Sequence, residues 1–216
     1  TPKPGEVLPG LRAAWSELLP RSPALGEDLL RRWQESHRHY HDVRHLAQIL
    51  AALARLADGG ASRPVLLAAW FHDAVHDGEH GTDEERSAAL AEADLDGAGL
   101  PASEVSEVAR LVRLTTAHSP EPGDAAGIEL VDADLSILGQ PPGRYHVYAR
   151  DVRLEYPGLP DPIFAAGRLK VLDALSSRRP LYRSATGQEA WTAQADRNLA
   201  SERRRWLRLV RSQQVQ

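Results

Sequence analysis

The chain contains no cysteine, and that absence removes disulfide bridges, thiolate-ligated zinc and a thiol nucleophile together. Lysine is nearly missing as well: only Lys3 and Lys170 stand against many arginines, a bias that, with abundant alanine, reads as genome base composition rather than function. No run approaches the roughly 18 apolar residues of a membrane span. The opening Thr1-Pro2-Lys3-Pro4-Gly5 lacks the charged-then-apolar order of a secretory signal. Nor is there a general positive field. A net charge of −4 cannot hold a nucleic-acid backbone, although a mononucleotide needs only a local positive pocket. The expectation is a soluble cytoplasmic protein that uses neither a membrane nor a nucleic-acid polymer as partner.

What is present is apolar material at helical spacing. With 216 residues and 42% hydrophobic content, the chain can bury one sizeable core. Apolar positions recur at three- and four-residue steps and alternation never persists, so the fold class is all-α. Leu11, Trp15, Leu18 and Leu19 mark a first helix, Pro23 to Ser36 a second, and Asp42 to Ala57 a third that Gly59-Gly60 ends. A fourth, Pro64 to Val75, is apolar nearly all round and is expected at the centre. Thr82-Asp83-Glu84-Glu85 has the form of a capping box, with Thr82 as N-cap and Glu85 reaching back. Further helices are predicted near 101–117, 124–138, 143–156, 162–178 and 188–211, punctuated by proline and glycine. The organisation predicted is a single domain over 1–216, residues 1–22 forming an N-terminal helix and extension and 180–216 a C-terminal helix packed on the core. The arginine-rich end of that last helix is read as a solvated turn that complements the helix dipole.

Three of these apolar stretches each carry a metal-type side chain: His45, the doublet His72-Asp73, and Asp132-Ala133-Asp134. Buried ionisable groups are costly unless compensated, and a divalent cation is the usual compensation. Neighbouring helical residues point about 100° apart, so His72 and Asp73 reach one ion only if it sits at the end of the helix. His37, His41 and His45 are spaced four apart and could share a face. If Asp42 is the N-cap of the third helix, His41 lies just outside it. Imidazole with carboxylate suits manganese, zinc, iron, cobalt or nickel, and magnesium less well because it prefers oxygen.

The wording Arg38-His39-Tyr40-His41 leading to His45, Trp70-Phe71-His72-Asp73-Ala74-Val75 and Asp132-Ala133-Asp134-Leu135 resembles the HD-domain superfamily of metal-dependent phosphohydrolases, in its branch of small single-domain proteins. Thr115-Thr116-Ala117-His118, Ser136-Ile137-Leu138-Gly139, Arg153-Leu154-Glu155-Tyr156, Gly167-Arg168 and Arg197-Asn198-Leu199-Ala200-Ser201-Glu202 extend the likeness over most of the chain. The resemblance implies an HD-type helical bundle with the metal site in its core, and His45, His72, Asp73 and Asp134 as ligands of one divalent ion. It leaves His41 as a supporting or substrate contact. Asp132 then either orients a ligand imidazole or caps locally.

The implied activity is hydrolysis of a phosphate ester or phosphoanhydride in a small phosphorylated metabolite, a nucleotide first among them. Asp77 and Glu84 follow the doublet and are candidates for the general base. His118 could donate a proton or steady a phosphoryl oxygen, or cap a helix end. Arg38, Arg153 and Arg168 fall in family-like wording, and a guanidinium matches phosphate geometry. Asp83, His76 and Thr116 stand where the family commonly has asparagine, tyrosine and lysine, departures at the pocket rim that bear on substrate identity. Two rivals remain, an HD-fold di-iron oxygenase, for which only His76, His80 and His118 could supply the extra histidines, and a non-catalytic metal-containing module. A homodimer is left open.

Overall fold

The computed structural model describes residues 2–57 and 60–213, with the side chains of 212 and 213 excepted. Every regular element among them is helical: α1 (Pro4–Leu18), α2 (Pro23–Arg32), α3 (Val43–Leu56), α4 (Arg63–Phe71), α5 (Thr82–Gly97), α6 (Ala102–Leu114), α7 (Ala125–Asp134), a 3-10 turn (Leu135–Gly139), α8 (Pro142–Leu154), α9 (Asp161–Ser177) and α10 (Ala185–Gln213). The protein is therefore all-α. No described helix is long and apolar enough to cross a membrane. The chain divides into two compact units, Thr1–Asp134 and Leu135–Gln216.

In the first unit α4 is the central helix, in contact with α1, α3, α5, α6 and α7. Neighbours on every side explain its composition: Val65 and Leu67 through Phe71 are wholly buried. Asp42 caps α3 by accepting the Arg44 N–H at 2.8 Å. That cap fixes His45 in the first turn, above the inward stripe Leu46, Ile49 and Leu53. Trp33, just beyond α2, donates its indole N–H to the Trp70 carbonyl at 3.0 Å and so ties the end of α2 to the end of α4.

Trp15 packs edge-on against Trp70, with ring centroids 5.0 Å apart, and donates to the Ser22 carbonyl at 2.9 Å. It leaves no room at Gly26, where a Cβ would fall 2.2 Å from the indole. Gly26→Ala gains helix propensity, yet it should lose about 1–2 kcal/mol net because the buried indole has nowhere to go. Urea unfolding reads this, and an unchanged midpoint would contradict it.

Several boundaries differ from the sequence reading, each for a local reason. α4 stops at Phe71 rather than Val75, because the Arg38 guanidinium takes the Asp73 carbonyl at 2.6 Å and the Ala74 carbonyl at 3.2 Å while Ser87 Oγ takes the Val75 N–H at 3.0 Å. The groups that would continue the helix are already satisfied. α2 closes at Arg32 in a tighter turn, with Gln34 N–H on Arg31 and Glu35 N–H on Arg32. The start of α5 is one residue earlier than the Thr82–Glu85 box. Gly81, at φ +84°, is the N-cap, and the Glu84 carboxylate accepts its N–H. Glu85 pairs with Arg113 instead. The helix predicted through 138 becomes 3-10 from Leu135. Gly59, expected to end α3, lies outside the described residues.

The second unit packs α10 against α9, α8 and the 3-10 turn. Asn198 donates to the carbonyls of Leu138 and Gln140, both at 2.8 Å, and Tyr182 donates to Leu135 at 3.0 Å. Its interior also holds an ion pair, Arg168 with Glu202, at 2.8 Å.

Candidate metal centre

Four side chains from three helices meet in the first unit. His45 comes from the first turn of α3, His72 from the C-cap of α4, Asp73 from the next residue, and Asp134 from the end of α7. His72 Nε2 lies 3.0 Å from Asp73 Oδ2 and 3.3 Å from His45 Nε2. His45 Nε2 in turn lies 3.2 Å from Asp134 Oδ1 and 3.7 Å from Asp73 Oδ2. Trp33 closes the inner side, its ring 5.4 Å from the His72 ring and 6.2 Å from that of His45.

Each group is aimed by something specific. His72 Nδ1–H donates to the Ala69 carbonyl at 2.9 Å, which turns Nε2 into the cluster. His45 has no such partner on Nδ1, and its ring is held by stacking on Tyr40 at 4.6 Å. Asp134 is bound through its other oxygen, Oδ2, to His118 Nε2 at 2.7 Å. The imidazoles are 1% and 2% exposed and the carboxylates 18% and 13%. The face open to solvent is therefore the acidic one.

The electrostatics follow from this crowding. Burial opposes ionisation of Asp134, but hydrogen bonds from His118 and His45 outweigh it and hold the carboxyl well below the usual range. Burial likewise opposes the Asp73 charge, and the His72 charge and hydrogen bond hold its carboxyl far below the usual range. Burial alone would lower the His72 imidazole, but the charge and hydrogen bond of Asp73, with Asp134 beyond, push it up to about 9. His45 is lowered, chiefly by burial. Two carboxylates stay ionised beside two imidazoles, an arrangement stabilised by positive charge.

Two ligand atoms each about 2.1 Å from a common ion are about 3.0 Å apart at a right angle and about 3.4 Å apart at a tetrahedral one. The separations measured here, 3.0, 3.2, 3.3 and 3.7 Å, have that scale. His45, His72 and Asp134 offer ligand atoms all within 4.8 Å of one another. The donor set fits one borderline divalent cation.

The remaining candidates divide clearly. Asp132 is wholly buried two residues back on α7, and the oxygens of Asp134 reach His45 and His118. His41 sits at the edge of the cluster, its ring 5.6 Å from that of His45 and 4.2 Å from that of His76. Asp77 is exposed and bound to Arg86, whose hydrogen bond lowers its carboxyl. Glu84 is committed to Gly81 and to His80 at 3.0 Å. Arg38 is buried behind the doublet as a clamp on its backbone, with further bonds to Glu35 and the His41 carbonyl. Arg168 and Arg153 belong to the second unit, where Arg168 binds Glu202 and Tyr148, and Arg153 binds Asp161 and the carbonyls of Tyr156 and Leu159.

Trp33, the floor of the site, carries no signal in sequence beyond an apolar position near the end of the second helix. Asp83, read from sequence only as a departure at the pocket rim, is buried and accepts the Asp77 and Glu79 N–H groups, both at 2.8 Å, so shaping the loop after the doublet. An acid directly before the capping glutamate, Asp83 before Glu84, is the available signal. No protein-family model matches the chain, and neither the curated proteins nor the solved structures offer a match.

Proposed function

We propose that His45, His72, Asp73 and Asp134 hold one divalent transition metal ion and that the protein is a metal-dependent phosphohydrolase of the HD type, acting on a small phosphorylated metabolite, a nucleotide first among them. The observation that carries the metal is the convergence of His45, His72 and Asp134, whose ligand atoms all lie within 4.8 Å of one another, with Asp73 Oδ2 3.0 Å from His72 Nε2. The step to phosphate chemistry rests on the sequence resemblance and on the open acidic face.

A divalent ion in this setting supplies Lewis acidity toward a phosphoryl oxygen and an activated water. The chain's own groups do the rest. Ala69 fixes the ring orientation of His72, Trp33 keeps water from the inner face of both imidazoles, and Arg38 holds the backbone that presents Asp73. The partly exposed carboxylate side is where a substrate can approach. Asp77 and Glu84 follow the doublet in sequence, and proton acceptance by either requires that it leave Arg86 or the Gly81 cap.

Purified protein should carry close to one transition metal per chain by elemental analysis. In a phosphate-release screen over nucleotides and sugar phosphates with manganese, cobalt, nickel or zinc added, turnover should appear and should fall at least 10²-fold in Asp73→Ala together with the metal. Full metal retention in Asp73→Ala and His45→Ala would refute the centre. Metal-loaded parent that releases no phosphate from any substrate would refute the activity.

A further inference from the structure

Among the described residues, His118 is the one non-glycine residue at positive φ, +48°. It follows α6 through a turn in which Thr115, Thr116 and His118 donate their N–H groups to Val112, Arg113 and Leu114. That is the left-handed exit of a helix, where glycine or asparagine is at ease and other side chains are strained. The strained conformation delivers the imidazole to Asp134. Nε2 stands 2.7 Å from Oδ2, and since an ionised carboxylate only accepts, His118 is the donor.

Asp134 needs such a partner. It is the last residue of α7, its carboxylate can rotate, and Oδ1 lies 3.2 Å from His45 Nε2. With Oδ2 engaged by His118, Oδ1 is left facing the two imidazoles. We infer that His118 is a positioning residue: by holding one oxygen of Asp134 it sets the other toward the ion, and it acts on cation affinity through Asp134 without touching the ion or the substrate. This rests on the reading of the four donors as a metal centre. It also gives His118 a task other than protonating a leaving group.

The test uses the full chain, cobalt(II) titration and the visible spectrum of the bound ion. His118→Asn tolerates the left-handed backbone but is too short to place a donor at the Nε2 position, so the α6 exit is kept and the contact is lost. Its cobalt affinity should fall about 10–100-fold, the usual effect of removing a group that orients a ligand, with the melting temperature of the metal-free protein moved by no more than about 2–4 °C. His118→Gln puts an amide N–H near the Nε2 position, and it should recover affinity to within about threefold of the parent with the parental spectrum. Parental affinity in His118→Asn would overturn the inference. So would equal failure of Asn and Gln with an altered spectrum, which would make the imidazole itself a ligand. Failure of the parent to bind cobalt would overturn the metal centre, and the role of His118 with it.

Discussion

Glu202→Ala is expected to lose about 3–5 kcal/mol of unfolding free energy at neutral pH, the scale for removing one partner of a buried ion pair. Four donors converge on this carboxylate: Arg168 Nε at 2.8 Å and Nη2 at 3.1 Å, Tyr145 OH at 2.5 Å and Trp206 Nε1 at 3.0 Å. Without it the buried Arg168 guanidinium keeps a hydrogen bond to the Tyr148 hydroxyl but no opposite charge in the cluster. Burial opposes the Glu202 charge, but the hydrogen bond and charge of Arg168, then Tyr145 and Trp206, hold its carboxyl below the usual range. The folded value lies below the unfolded one of about 4.3. The stabilisation is therefore complete above that pH and is lost as pH falls toward the lower folded value. Parent and variant should differ most near pH 7 and converge in acid. Replacing both Arg168 and Glu202 by leucine should restore much of the loss, because no charge is then stranded. A deficit under about 1 kcal/mol for Glu202→Ala at pH 7 in urea unfolding would show that the cluster contributes little.

This pair illustrates what the sequence hid. Arg168 is a phosphate candidate in sequence because Gly167-Arg168 falls in family-like wording and a guanidinium matches phosphate, and nothing local signals a partner 34 residues away on another helix. Arg38 is similar: a guanidinium suits a backbone carbonyl as well as a phosphate, and its carbonyl acceptors are fixed by where α4 ends. That end was misplaced too, since periodicity runs smoothly through His72 while bonds from Arg38, Ser87 and Trp33, all distant in sequence, stop the helix. By contrast, the all-α class followed from three- and four-residue spacing, and Asp42 announced the start of α3 because a cap is a local event. The His45, His72, Asp73 and Asp134 set was legible because each residue interrupts an apolar stretch, which singles it out among the acids and histidines of the chain. His118 was visible as a residue, but its bond to Asp134 depends on a left-handed backbone that sequence does not display.

The largest condition-dependent effect should appear at the centre itself: metal-free protein is expected to lose up to about 3 kcal/mol of stability between pH 6.5 and 9, while metal-loaded protein does not. Burial lowers the His72 imidazole, but Asp73, Asp134 and the Ala69 carbonyl together raise it to about 9, above the unfolded value of about 6.5. A histidine raised on folding contributes its full stabilisation below the unfolded value and loses it as pH climbs through the folded one. The difference of about 2.5 units, at 1.36 kcal/mol each, gives the magnitude. His45 works in the opposite sense: lowered by burial, it favours folding when neutral and costs stability as pH falls below about 6.5. Metal-free protein should thus be most stable in a window near neutrality. In the proposed centre a divalent ion would compete with the His72 proton for the same Nε2, so its stabilisation should grow as pH rises. Melting curves in chelator and in excess manganese at pH 6, 7.5 and 9 should diverge steadily. His72→Ala should flatten the metal-free decline and remove the divergence. Parallel curves at all three pH values would mean that His72 does not exchange a proton for the ion.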